Sequence, residues 1–585
     1  MISSFSVFRV AFGLLSLHPL VHGQDTLSTD VNTYGTNSQS PYQTFISAPD
    51  LKPPELLITE NAGGLSDGYL FIGLDGKPDS TQNVPCIYDM SPGPRMGTLV
   101  WTGMNYTQPF DFRVQTYKGE PHLTFFLGTL LDGYGHGSFY ILNQSYVEVA
   151  RFDAVGYPGL GDLHELLITP EDHALVTIYT SKQTNLTEFG GASDGWIFEN
   201  IFQEINVDTN EVVFSWNASD HVAIDETYNT IANVGTEAAP FDYFHINSVD
   251  KDANGDFLVS ARVTNCVYKI SGKDGSIIWR LGGKRTDFDL DPAAEFANQH
   301  DARWIDSKKQ DQLTIFDNGP HGDVSHSRGM LLTVDQSEKT VRLRTEFRNS
   351  HSTFGQFEGN VQAIDPANPD TNFMVGFGLE PYFTEFSSNG TVLLDGQFAN
   401  ATVVNNYRTY KLPWQGKPLN NPSINWDMGT GKVHVSWNGA TDHAKWILYT
   451  ADSADSSTWA NISAPITRTG FETEIDISGA DRLRLVRATA VNGAGDKLGW
   501  TDVADGNNNY VQASDLDDSQ ISTSDAPSSA TGRATSSTAS VTTSSSISTP
   551  TSSSQASAAW KTWRAPPFVI NVLAIGIAFA EFRSV

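Results

Sequence analysis

Cysteine is scarce: the 585 residues carry two, Cys86 and Cys266. No disulfide framework can stand in for a hydrophobic core, and the pair leaves two readings open, one bridge or two buried thiols. Basic side chains are also few, 37 Lys and Arg against 67 Asp and Glu, giving a formal charge of −30 and a pI near 4.7. Binding a phosphate backbone requires a Lys/Arg surface, so nucleic acid is excluded as a partner. No Gly-x-Ser-x-Gly elbow, Walker-type loop or dinucleotide fingerprint occurs, and no cofactor is expected.

At this length one hydrophobic core does not suffice, so at least two domains are expected, with non-globular ends. Arg9, the apolar stretch Val10–Leu20 and then Val21-His22-Gly23 read as a signal peptide over 1–23. A secreted fate fits the N-x-S/T acceptors at Asn105, Asn143, Asn185, Asn217, Asn389, Asn400 and Asn461. Residues 513–559 form a Ser/Thr-rich stretch that buries too little surface to fold and reads as an O-glycosylated stalk. The tail 560–585 contains an apolar run, Phe568–Ala580, that is short for a bilayer span of about 20 residues. With small residues Ser557, Ala558 and Ala559 before it, the layout is that of a GPI-attachment signal, with a transmembrane helix as the alternative. The expected location is the cell surface, with membrane attachment through the tail.

Between about 68 and 398 a four-strand unit recurs. First strands are expected at Phe112–Gln115, His164–Ile168, His245–Asp250, Asp301–Asp306 and Asn360–Asp365. Each is followed by an apolar second strand such as Phe257–Ala261 and a hairpin such as Val267–Ile270 with Ile277–Leu281. With a less regular unit over Gly68–Gly103, this makes about six, enough to close a ring of four-stranded blades. The expected architecture is all-β: a six-bladed β-propeller over 24–410 and a fibronectin/Ig-like β-sandwich over 411–512.

In a propeller the loops entering the innermost strands and those joining second to third strands share one face. Three consecutive units place histidine there, His164, His245 and His300, and the Ser325–Gly329 loop adds Arg328. An arginine beside imidazoles makes a fork for a sulfate or phosphate anion. The alternatives are histidines that merely bond neighbouring loops, and a metal site, for which no short-spaced ligand motif exists.

The segments Asp242–Asp250, Ile277–Lys284, Gln299–Arg303 and Gly359–Gln362 resemble the arylsulfotransferase family in its fungal extracellular branch, over about residues 50–400. That resemblance implies a six-bladed propeller that moves a sulfuryl group from an aryl sulfate ester to a phenol through a sulfohistidine, without a nucleotide donor. It implies that His245, His300 and Arg328 surround the sulfate, with His164, His351 and Asn360 as further residues at the channel mouth. The chain departs from the pattern where the bacterial members' nucleophilic histidine should fall, near Phe357 to Gln362, which reads Phe-Glu-Gly-Asn-Val-Gln; His351 is the nearest histidine. Transfer could run through His245 or His300, or the fold could serve only to bind a ligand or adhere. A metal-assisted hydrolase or lyase is a third possibility.

Overall fold

The computed structural model describes residues 42–76, 83–319, 325–399, 404–453, 459–478 and 483–511. The expected signal peptide, stalk and anchor, and the acceptor at Asn400, lie outside the described residues. Helical segments among the described residues are single three-residue 3-10 turns, so the fold is all-β. No helix among them is long and apolar enough to cross a membrane.

Five antiparallel meanders follow the expected repeat. Their first strands are β1 (Phe110–Tyr117), β2 (Gly161–Ile168), β3 (Ile246–Lys251), β4 (His300–Trp304) and β5 (Asn360–Ala363), and each pairs with a longer or more apolar second strand. Second strands are apolar on both faces because alternate side chains enter different inter-sheet cores. Phe257 and Val259 pack with Trp216 and Phe244 on one side, whereas Leu258 joins Trp279 and Leu313 on the other. Each fully buried large side chain contributes about 1.5–3 kcal/mol, so the inter-sheet layers dominate stability.

The sixth unit is assembled from both ends of the repeat region. Tyr69–Gly76, Pro85–Asp89 and Leu99–Thr102 receive their inner strand from β6 (Val404–Leu412), far away in sequence. Reciprocally, Leu57–Asn61 adds an outer strand to Val392–Gln397. Neighbouring inner strands touch in the succession β1, β2, β3, β4, β5, β6, and β6 touches β1 again.

Inner strands are polar because their side chains meet around a common axis. Arg113 pairs with Asp111 (3.1 Å) and Glu165 (2.9 Å), Arg303 with Glu165 (2.5 Å) and Asp301 (2.8 Å), and Arg408 with Asp111 (3.0 Å). All of these groups except Arg303, whose side chain is 15% exposed, are almost completely shielded from water, so each charge depends on its partners to offset desolvation.

After β6, Ser423–Asp427, Lys432–Ser436 and Glu472–Asp476 form one sheet, and a second is built on Lys445–Ala451 and Leu485–Val491. The two share a core containing Trp426, Val435, Trp446 and Val486. Tyr146 stacks on Trp101 (4.6 Å between centroids) and donates from its hydroxyl to the Gly439 carbonyl (2.8 Å), fastening this module to the repeat units. Cys86 and Cys266 lie in different sheets as free, buried thiols, and burial pushes the Cys86 thiol up to about 12.

Candidate active site

His164 and His245 come together at the start of β2 and β3, their rings edge to face with centroids 5.0 Å apart. Each is oriented through Nδ1 by a carboxylate, Asp162 Oδ1 for His164 and Asp242 Oδ2 for His245, both at 2.5 Å. Asp162 is itself fixed by the Gly135 N–H (2.8 Å) and the Thr177 hydroxyl (3.1 Å). A face of the His164 ring rests on Tyr179 at 5.2 Å, and the Tyr179 hydroxyl donates to the Ile246 carbonyl (2.7 Å), so aromatic packing and backbone bonding lock the pair. His245 sits in left-handed backbone, φ +57, a conformation that a non-glycine residue adopts at a cost.

His300 opens β4. Its Nδ1 meets the Asn318 side-chain oxygen at 2.7 Å and the Asn298 carbonyl at 3.1 Å, both acceptors, so Nδ1 carries the proton. Nε2 accepts a long 3.3 Å bond from the Glu358 backbone N–H, consistent with an unprotonated nitrogen. Burial holds the His300 pKa well below the ordinary histidine value, and the positive charge of Arg262 reinforces it. Burial likewise lowers His245, against the opposing pull of Asp242.

Arg262 completes the cluster. It follows the second strand Phe257–Ala261 and its N–H donates to the His245 carbonyl (2.9 Å), which ties its loop to that histidine. Its guanidinium lies over the Phe357 ring at 4.7 Å, and its Nε is buried without a hydrogen-bond partner. A guanidinium carries five donors, and leaving a buried one unmet is costly unless an anion takes it.

The other expected residues are engaged with partners of their own. Arg328 is spent on Asp317 (Nε to Oδ2, 3.0 Å) and on the carbonyls of Ala293 (3.3 Å) and Glu295 (2.9 Å), with Glu346 near its third nitrogen. Asn360 joins β5 to β6 through a reciprocal pair of 2.8 Å bonds with the Thr409 backbone. His351 is partly exposed and faces Asp395 (3.6 Å) and Tyr382. Arg262 was legible by the rule that singled out Arg328: it occupies the loop joining second to third strand in the unit that carries His245. No group of three or more His, Cys, Asp or Glu side chains among the described residues is arranged to hold a metal ion.

No curated protein matches the chain. Similar solved structures include a protein of unknown function from Bacteroides caccae, 12% identical over 60% of this chain and 99% of that chain, TM-score 0.34. A protein from Lactobacillus plantarum is 12% identical over 70% and 100% with a TM-score of 0.30, and Kuenenia stuttgartiensis hydrazine synthase is 13% identical over 60% and 79% with a TM-score of 0.30. Likeness at this level bears on no activity. The family model for arylsulfotransferase (ASST) matches residues 113–399, a span that contains His164, His245, Arg262 and His300, and that segment belongs to the arylsulfotransferase family.

Proposed function

We propose that this chain is an extracellular member of the fungal branch, a six-bladed propeller followed by a fibronectin-like sandwich, which transfers a sulfuryl group from an aryl sulfate ester to a phenol without a nucleotide donor. The observation that carries this reading is the Nε of Arg262, sealed from water and lacking a partner, on a guanidinium whose charge acts on both His300 and His245. Such a place suits a compact anion with several acceptor oxygens.

His300 is the nucleophile best prepared by its surroundings, since it stays neutral and offers an unprotonated Nε2. Nε2 attacks sulfur, the N–S bond forms as the S–O bond to the aryl group breaks, and phenoxide leaves. The Glu358 N–H bond to Nε2 is given up in this step. In the second half, a carboxylate-paired imidazole, His245 or His164, takes the proton of the acceptor phenol. The phenol oxygen then attacks sulfur, the N–S bond breaks, and His300 is regenerated. Arg262 balances the charge on the moving sulfuryl oxygens.

The extracellular reading is supported by acceptor asparagines in compact turns: Asn185 and Asn389 each accept from the N–H and hydroxyl of the threonine two residues on. These sites and Asn105 and Asn461 are exposed.

The test is transfer from 4-nitrophenyl sulfate to phenol, read by nitrophenolate absorbance. Arg262→Met should lower turnover about 10²–10³-fold, and His300→Ala should abolish it, while Arg328→Met should lower thermal stability more than rate. Absence of acceptor-dependent turnover in the wild-type protein across a broad donor panel would favour a propeller that only binds.

A further inference from the structure

Glu358 is a partly buried acid that the reaction above leaves unused. It sits just before β5 in left-handed backbone, φ +64, as His245 does before β3 with φ +57, and each is followed two residues on by an asparagine, Asn360 and Asn247. A glutamate held in that conformation is strained, and the strain persists only where surrounding structure imposes it. Its own N–H points at His300 Nε2, 3.3 Å away, so its side chain starts beside the reacting nitrogen. The preceding residue, Phe357, lies under the Arg262 guanidinium. Its Oε2 is sealed from water and bonds to nothing among the described residues.

We propose that Glu358 is a further catalytic residue, a neutral carboxylic acid that donates a hydrogen bond to the sulfuryl oxygens bound at His300 and Arg262. An ionised carboxylate there would repel the substrate anion; a protonated one adds a donor where negative charge collects. The surroundings favour the protonated form. The charged neighbour that acts on it is Asp75, another carboxyl, which is held by the Gln108 side chain (2.8 Å) and is itself raised by burial. His300 touches only its backbone, and no positive charge among the described residues opposes the shift of the carboxyl. Burial, with Asp75 adding to it, pushes the Glu358 carboxyl up to about 8.

This inference rests on the anion site of the proposed function, and a non-transferable ligand separates the two. Benzenesulfonate has no ester bond to break, and its binding to the intact protein can be followed by calorimetry from pH 6.5 to 9.5. The wild-type affinity should be level up to about pH 7.5 and fall about tenfold per unit above pH 8, because only the protonated acid donates. Glu358→Gln, which keeps a donor, should bind within about threefold of wild type at pH 7 and lose the fall; Glu358→Ala should bind about tenfold more weakly. A wild-type profile that stays level, or a Glu358→Gln profile that falls like wild type, overturns the role of Glu358 alone. If Glu358→Gln does not fold, the wild-type profile still decides. No binding by the wild type at any pH overturns the anion site, and this inference with it.

Discussion

His164 and His245 give Nδ1 to carboxylates, Asp162 and Asp242, whereas His300 gives it to the amide of Asn318. The difference separates their chemistry. A carboxylate stabilises the imidazolium and suits a group that accepts a proton, while an amide fixes the tautomer without adding charge and leaves a neutral nucleophile. Asn318→Asp would place a carboxylate against His300 and raise a pKa that now lies well below the ordinary value. The imidazolium has no lone pair at Nε2, so the acidic limb of the pH–rate profile should move to higher pH, and turnover at pH 6 should drop about 10-fold or more. The substitution also removes the Nδ2 donors to the Gly355 and Glu358 carbonyls, so the melting temperature will fall as well. The profile is the deciding readout: lost stability alone lowers the active fraction without moving the limb.

The strand β6 does more than complete a sheet. Arg408 donates to the His164 carbonyl (3.0 Å) and the Asn247 carbonyl (2.8 Å), and the Tyr407 hydroxyl lies within 3.3 Å of both. One strand thus sets the spacing of β2 and β3 directly behind the two paired histidines. Arg408→Met would strand Asp111, Glu165 and Asp301 with less compensation, and chemical denaturation should show a loss of about 3–5 kcal/mol, the range for breaking a buried ion pair. A loss under 1 kcal/mol would mean that these carboxylates take up protons when the arginine goes. This strand was also the hardest to read in the sequence. Second strands such as Phe257–Ala261 announce themselves as unbroken apolar runs because both faces are buried. Val404–Leu412 instead carries Asn405, Asn406, Arg408 and Lys411, whose polarity makes sense only once the axis it faces is known, and it crosses the boundary expected at 410. The same limit applies to the site. Histidines at the start of three units stood out as a register, but choosing between Arg262 and Arg328 required knowing which guanidinium already had acceptors.

Among the described residues, three histidines are held below their ordinary pKa by burial: His245 and His300 in the site, and His443 in the two-sheet module after β6, enclosed by Trp437 and Trp446 with the charges of Arg468 and Arg95 adding to the shift. The sign follows from linkage. Above about pH 6.5 these groups are neutral in both folded and unfolded chains, and they leave stability unchanged. As pH falls below that value, the unfolded chain takes up protons that the folded one refuses, so stability declines toward the folded-state pKa values, by up to about 1.4 kcal/mol per group per pH unit. Buried carboxyls with raised pKa, such as Asp250 and Asp111, act in the opposite direction, so the total slope is a difference. His443 can be isolated because it lies outside the histidine cluster. His443→Phe should unfold in denaturant with a shallower loss of stability between pH 6.5 and 5 than wild type, while turnover at pH 7 stays within about twofold, as expected for a substitution remote from the chemistry. Equal slopes would show that the two-sheet module opens enough to hydrate His443 before the repeat units unfold, and two unfolding transitions in calorimetry at pH 5 would then be the corresponding signature.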